Sequence, residues 1–305
     1  MYPSLSFRTF ASEFMAAMAW VEGLGITINR ARFGKYLQTV EAALTEPPAQ
    51  HSGEEENLQG FAAIESGCEL ITLHQYLADH GSDQFKHRLG IYVEGAVLEC
   101  EEVPASSSNK ARNIGFELLL AATMARAGLD PQFPTQSDLT TQRPALRLEC
   151  KRLQSPQKAE KNIRDAASKL QKRSSEGIQR VPGIIALAIG KIVHGGRLRL
   201  RAHSVQQGMA TIDGVCLAFL REHEHVWEGW SKKHIQAVIA FYSGIIEVPS
   251  SNQWYWAYDV AIIPVSHAQT ARLQSAINEA VEKLRVHTGG GAFLDRDTTK
   301  RDSAT

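Results

Sequence analysis

The chain has no surplus of charge of either sign. Its 305 residues carry 33 Lys and Arg against 33 Asp and Glu, a net charge of zero. That excludes a basic footprint spread over the whole chain, so any nucleic-acid surface must be local. Cysteine is scarce: Cys68, Cys100, Cys150 and Cys216 form neither a CxxC pair nor a zinc-ligand cluster. The opening MYPSLSFRTF lacks a basic segment followed by an apolar core. Residues 10–26 are apolar but carry Glu13 and Glu22, and the stretch is too short to span a bilayer. The expectation is a cytoplasmic protein with reduced thiols and no membrane contact. HGGR and TGGGAF lack the Lys-Ser/Thr of a phosphate loop. There is no internal repeat and no Ser-His-Asp arrangement in a nucleophile context.

What is present divides by texture. Residues 1–105 read as an all-α N-terminal region. Amphipathic patterns cover 10–25 and 29–44, two more helices follow from residue 61, and Thr45–Asn57 reads as a Pro-rich acidic loop. Serines and Asn109 offer helix caps after residue 105, and Gly128 is placed to end the helix that follows. Residues 137–142 and 145–152 read as strands around an Arg143-Pro144 turn. Ser155-Pro156 opens a helix to about residue 174, and 181–193 is an apolar run suited to a strand buried on both faces. A helix over 204–227, strands over 234–248 and 254–265, and an amphipathic helix over 270–286 complete the pattern. The reading is an α/β domain over 106–287, a mixed sheet flanked by helices, with a disordered tail over 288–305.

The chemistry concentrates in LRLECKRLQS. Strand alternation puts Glu149 and Lys151 on one face and Cys150 in the core. If the Arg143-Pro144 turn closes a hairpin, Asp138 lands opposite Glu149. Two close carboxylates repel and need a cation. A hard divalent ion such as Mg²⁺ suits such oxygen donors, and a neighbouring ammonium offsets charge on a phosphorane-like transition state. Glu117 is the only ionisable residue between Ile114 and Ala125. A buried carboxylate requires a partner, whether a metal, Lys151, or a salt bridge to Arg112 or another basic residue. From Arg143 to Arg180 there are 11 basic residues against 4 acidic ones. This local excess beside the acids suits a phosphate backbone.

Glu117 on a helix, then Asp138, then Glu149-Cys150-Lys151 resembles the PD-(D/E)XK nuclease superfamily, also called restriction-endonuclease-like, over about residues 109–190. Ser137 stands where the motif's name has proline. The resemblance implies a mixed sheet with flanking helices and Mg²⁺-dependent hydrolysis of phosphodiesters, with Mn²⁺ able to substitute. It makes Asp138, Glu149 and the Cys150 carbonyl metal ligands, Lys151 the catalytic lysine, and Glu117 a helix acid that also serves the metal. Arg152, Lys158, Lys161 and Gln171 become nucleic-acid contacts, with DNA ahead of RNA. A homodimer, and a protein partner on the N-terminal helices, stay open. So does a catalytically silent scaffold that binds nucleic acid or a partner. Two further features read as structural. His223 and His225 diverge by about 200° on a helix, which disfavours shared ligation. Trp254, Trp256 and Tyr258 share a strand face and read as core rather than a base-stacking row.

Overall fold

The structure, a computed structural model, describes residues 4–45, 54–95, 108–135, 137–175, 181–193, 199–228, 230, 235–251, 253–265 and 293–295. Eight helices occur among them: α1 (Phe7–Gly23), α2 (Lys35–Thr45), α3 (Glu54–Leu77), α4 (Asp83–Val93), α5 (Ser108–Arg126), α6 (Ala159–Ser175), α7 (Val205–Glu222) and α8 (Glu224–Trp227). The strands are β1 (Ser4–Ser6), β2 (Pro131–Gln132), β3 (Leu139–Gln142), β4 (Ala145–Arg152), β5 (Gly183–Ala188), β6 (Arg199–Arg201), β7 (Ile235–Val248), β8 (Gln253–Pro264) and β9 (Phe293–Asp295). They form one mixed sheet in the order β1-β9-β8-β7-β5-β4-β3-β2, with β6 pairing the far end of β7.

The order of elements fixes where the site can form. Gly128, at φ +72°, ends the turn after α5 in the left-handed conformation that glycine adopts without strain. Gln142 pairs with Ala145, so Arg143-Pro144 closes a two-residue hairpin between antiparallel β3 and β4. Strand β5 lies parallel to β4, and a parallel pair needs a crossover, which α6 supplies. Ser155 and Pro156 open a short 3-10 turn that leads into α6.

An apolar layer covers each sheet face. Alternation along β5 sends Ile184 and Ala186 into the layer shared with α1–α5, and Ile185 and Leu187 into the layer shared with α6 and α7. The first layer runs from Phe10, Phe14 and Val21 through Leu148 and Cys150 to Trp256 and Tyr258, so the N-terminal helices pack directly on the sheet. Trp256 and Tyr258 are 2% and 1% exposed, and Trp254 packs on Phe61 at 5.1 Å, as a core row requires.

Three expectations need correction. The N-terminal region is not all helical, because Ser4–Ser6 forms β1. Within the tail, Phe293–Asp295 forms β9 between β1 and β8. Segments of three residues carry too little alternation to be read as strands, and here sheet pairing alone defines them. The acidic end of the expected loop, from Glu54, is the start of α3; acidic residues suit a helix N-terminus as well as a loop. The amphipathic pattern over 270–286 lies outside the described residues.

Gly115 allows α5 to approach α4 closely. A β-carbon there would lie 2.8 and 2.9 Å from two ring carbons of Tyr92, which is buried and tied by its hydroxyl to Glu69. Overpacking costs about 1–3 kcal/mol, and the better helix propensity of alanine returns up to about 1. Gly115→Ala should therefore lower stability by about 1–2 kcal/mol. In urea unfolding this reads as a lower midpoint with an unchanged slope.

Candidate active site

The hairpin register sets the geometry. Leu139 pairs with Leu148 across β3 and β4, so Asp138, one step before, stands beside the Glu149–Cys150 segment. Asp138 Oδ2 accepts a hydrogen bond from the Cys150 amide at 2.6 Å. Glu149 is fully buried and points away from Cys150, toward α6. Its Oε1 accepts from Lys151 Nζ and from Lys169 Nζ, each at 2.7 Å. Lys151 Nζ also donates to the Cys150 carbonyl at 3.1 Å.

Glu117 pairs with a basic residue from another helix. Its Oε2 accepts from Arg88 Nη1 on α4 at 2.9 Å, and both side chains are nearly buried. Arg88 goes further. Its guanidinium donates to the backbone carbonyls of Pro134 (2.9 Å), Ser137 (3.1 Å) and Asp138, and stacks over Phe133. One cation thus fastens the segment that leads into β3 and holds the helix acid at the same time.

Burial and neighbouring acids raise Glu117 and Asp138. Burial, then the charge of Asp138, pushes Glu117 up to about 8; Arg88 and Lys151 pull it down but lose. Burial and then Glu149 push Asp138 up, against the Cys150 amide. Partial burial pulls Lys169 down, and its hydrogen bond to Glu149 more than reverses this, leaving it raised. Burial pushes the Cys150 thiol well up, so its sulfur is a poor ligand and only its carbonyl is available for coordination.

The sequence-predicted residues therefore separate. Glu117, Asp138, Glu149 and Lys151 come together. Lys169 and Arg88 join them unpredicted: Lys169 had counted only as bulk charge, and Arg88 lies in a region that offered no motif. Gln171, two residues past Lys169 and so about 200° around α6, is exposed. Lys158 and Lys161 are exposed at the 3-10 turn and the start of α6. Arg152 alternates to the opposite sheet face from Lys151 and lines a cleft with Arg32. The histidines do not converge either: His223 Nδ1 lies 3.0 Å from the Phe219 carbonyl, and His225 Nε2 lies 3.0 Å from Glu160.

Comparison of the chain with family models, curated proteins and solved structures finds no match. The site must be read from its own chemistry. Among the described residues no three His, Cys, Asp or Glu side chains are arranged to hold a metal ion. Mg²⁺, however, is commonly held by one or two carboxylates, its other positions going to waters and substrate phosphate. Asp138 and Glu149 fit that requirement as a pair of oxygen donors. Two ammonium groups now balance the charge that a divalent ion would balance, and Lys169, half exposed, is the one able to swing away.

Two expectations follow for the metal-free protein. Leaving a buried acceptor without its donor costs about 1–3 kcal/mol. Arg88→Ala should destabilise the protein by that order, in chemical denaturation, because four acceptors lose their donor. The second concerns pH. Glu117 takes up a proton more readily folded than unfolded, so between about pH 4.5 and 8 the folded state binds more protons and stability falls as pH rises. Glu117→Gln should flatten that part of the stability–pH curve measured in EDTA.

Proposed function

We propose that the chain is a Mg²⁺-dependent nuclease with a restriction-endonuclease-like, PD-(D/E)XK architecture, acting on phosphodiester bonds in DNA. One observation carries the reading: Asp138, Glu149 and Lys151 converge at the end of one hairpin, with a second ammonium from Lys169 on the same carboxylate oxygen. Two lysines on a single carboxylate oxygen, beside a second carboxylate with a raised pKa, make a site built for variable charge.

In this reading Asp138 and Glu149 would hold Mg²⁺. Once bound, the ion supplies positive charge toward phosphate oxygens and makes a water more acidic. The side chains of the chain do the rest. Lys151, fixed by Glu149 and by the Cys150 carbonyl, aims its ammonium where charge grows on the non-bridging oxygens as the water oxygen bonds to phosphorus and the ester P–O bond breaks. Lys169 exchanges Glu149 for an incoming phosphate. The Cys150 amide orients the Asp138 carboxylate, and Arg88 with Glu117 holds the segment behind it. Exposed Lys158 and Lys161 meet the backbone beyond the scissile bond, without reading sequence.

The test is cleavage of supercoiled plasmid and single-stranded DNA in Mg²⁺ or Mn²⁺, beside EDTA. Wild type should cut only with metal, and Lys151→Ala and Asp138→Asn should each lose about 10²-fold or more in rate. Equal cleavage by wild type and Lys151→Ala, or none by pure protein, would overturn the nuclease. DNA that is retained in a mobility shift but never cut would identify the silent scaffold instead.

A further inference from the structure

Helix α6 carries its apolar stripe on Ile163, Ala166, Ala167 and Leu170, all buried against the sheet. Lys169 stands beside that stripe, one residue before Leu170, with its side chain 51% exposed. A half-exposed lysine gains little from an ordinary surface pair, since ordering the side chain offsets the attraction. This one reaches inward instead. Its Nζ donates at 2.7 Å to Glu149 Oε1, on a carboxylate with no exposed surface. The same oxygen accepts from Lys151 at the same distance. Lys151 has a second tie, to the Cys150 carbonyl at 3.1 Å, and its side chain is only 22% exposed.

The second ammonium acts on both carboxylates. Burial and Glu149 push the Asp138 carboxyl up, and the Cys150 amide and the charges of Lys151 and Lys169 pull against them. Partial burial acts against the Lys169 ammonium, while its hydrogen bond to Glu149 and the charges of Glu149 and Asp138 favour it. Lys169 is thus held by the same two acids that would hold a divalent ion. An ion on Glu149 would share one carboxylate with two ammonium groups, and like charges so close repel. One cation has to leave. Lys151 lies on the strand beside Glu149, twice tied and little exposed. Lys169 comes from another element, is half exposed and rides on a flexible four-carbon stem. It is the one that leaves.

We infer that Lys169 is a resident counter-cation: its ammonium competes with a divalent metal ion for the Asp138 and Glu149 pair, and so holds metal affinity down in the free protein. The inference rests on the reading of those two carboxylates as the ion's ligands. Its consequence is regulatory. Anything that draws the ammonium off Glu149 strengthens metal binding. Coupling between two bound groups is reciprocal, so a bound ion releases the ammonium to an anion by the same factor. A backbone phosphate of a nucleic acid is such an anion. The site then favours ion and phosphate together over either alone.

The test reads metal affinity rather than cleavage, by isothermal titration of Mn²⁺ into the full chain free of nucleic acid. Lys169→Met should bind Mn²⁺ tighter than wild type by about tenfold or more, the worth of one hydrogen bond to a charged group. Lys169→Gln, neutral but still a donor, should gain in the same direction, and the urea midpoint of each variant shows that it is folded. Arg164→Met removes an exposed charge from the same helix, and should change the affinity by less than about threefold. Asp138→Asn locates the ion and should abolish binding both alone and combined with Lys169→Met. Equal affinity of wild type and Lys169→Met, or an equal gain in Arg164→Met, overturns the competition and leaves the two carboxylates as ligands. Mn²⁺ binding that persists in Asp138→Asn, or no binding by any variant, overturns the metal reading of the pair and the competition with it.

Discussion

A carboxylate with no exposed surface, on a strand packed between two apolar layers, is the constraint around which the site is arranged. An isolated buried charge costs far more than folding can spare, so Glu149 must be neutralised from within reach. Lys151 does this from the same strand, two residues on, where alternation returns to the same face. Lys169 does it from α6, and α6 lies there because β4 and β5 are parallel and need a crossover. The chain connection that the sheet demands is therefore also what delivers the second ammonium. Topology and electrostatics are solved by one element.

The N-terminal helices reach the site through Arg88. Its guanidinium spends its donors on one carboxylate and three carbonyls of the segment before β3. Without it, Glu117 would lose its ion pair and the Asp138 backbone its anchor. The helical region is thus a supporting wall for the site and shares its apolar layer with the sheet. The raised proton affinity of Glu117 shows how tightly this wall is loaded: three acids lie within electrostatic reach of one another, and burial favours keeping one of them protonated.

Much of this was legible beforehand, for definite reasons. Strand β4 was readable because Leu146, Leu148 and Cys150 alternate with charged residues, a pattern with no helical counterpart. The hairpin followed from the Arg143-Pro144 break, and with it the approach of Asp138 to Glu149. Arg88 was not legible, since its role depends on α4 packing against α5, a contact some thirty residues apart in sequence that no local pattern encodes. Lys169 sat in plain view among the basic residues of α6, but picking it out required the angle at which α6 crosses β4. Arg152 counted with the basic residues that follow Lys151. The pleat of β4 puts Arg152 and Lys151 on opposite faces, as it does Cys150 and Lys151.

Strand β4 ends in Glu149, Cys150, Lys151 and Arg152, and successive side chains go to opposite sides of the sheet. Glu149 and Lys151 face α6, whereas Cys150 packs in the layer of α1–α5 and Arg152 lines the cleft beside Arg32 and Arg112. Helix α5 is divided in a similar way: Arg112, Gly115 and Phe116 line the cleft, while Glu117, the next residue, turns about 100° toward Arg88 and Asp138. The same two elements therefore border both polar sites. The packed sheet lies between the two clusters, while the backbone of β4 is common to both. The Cys150 amide that holds Asp138 belongs to that shared strand.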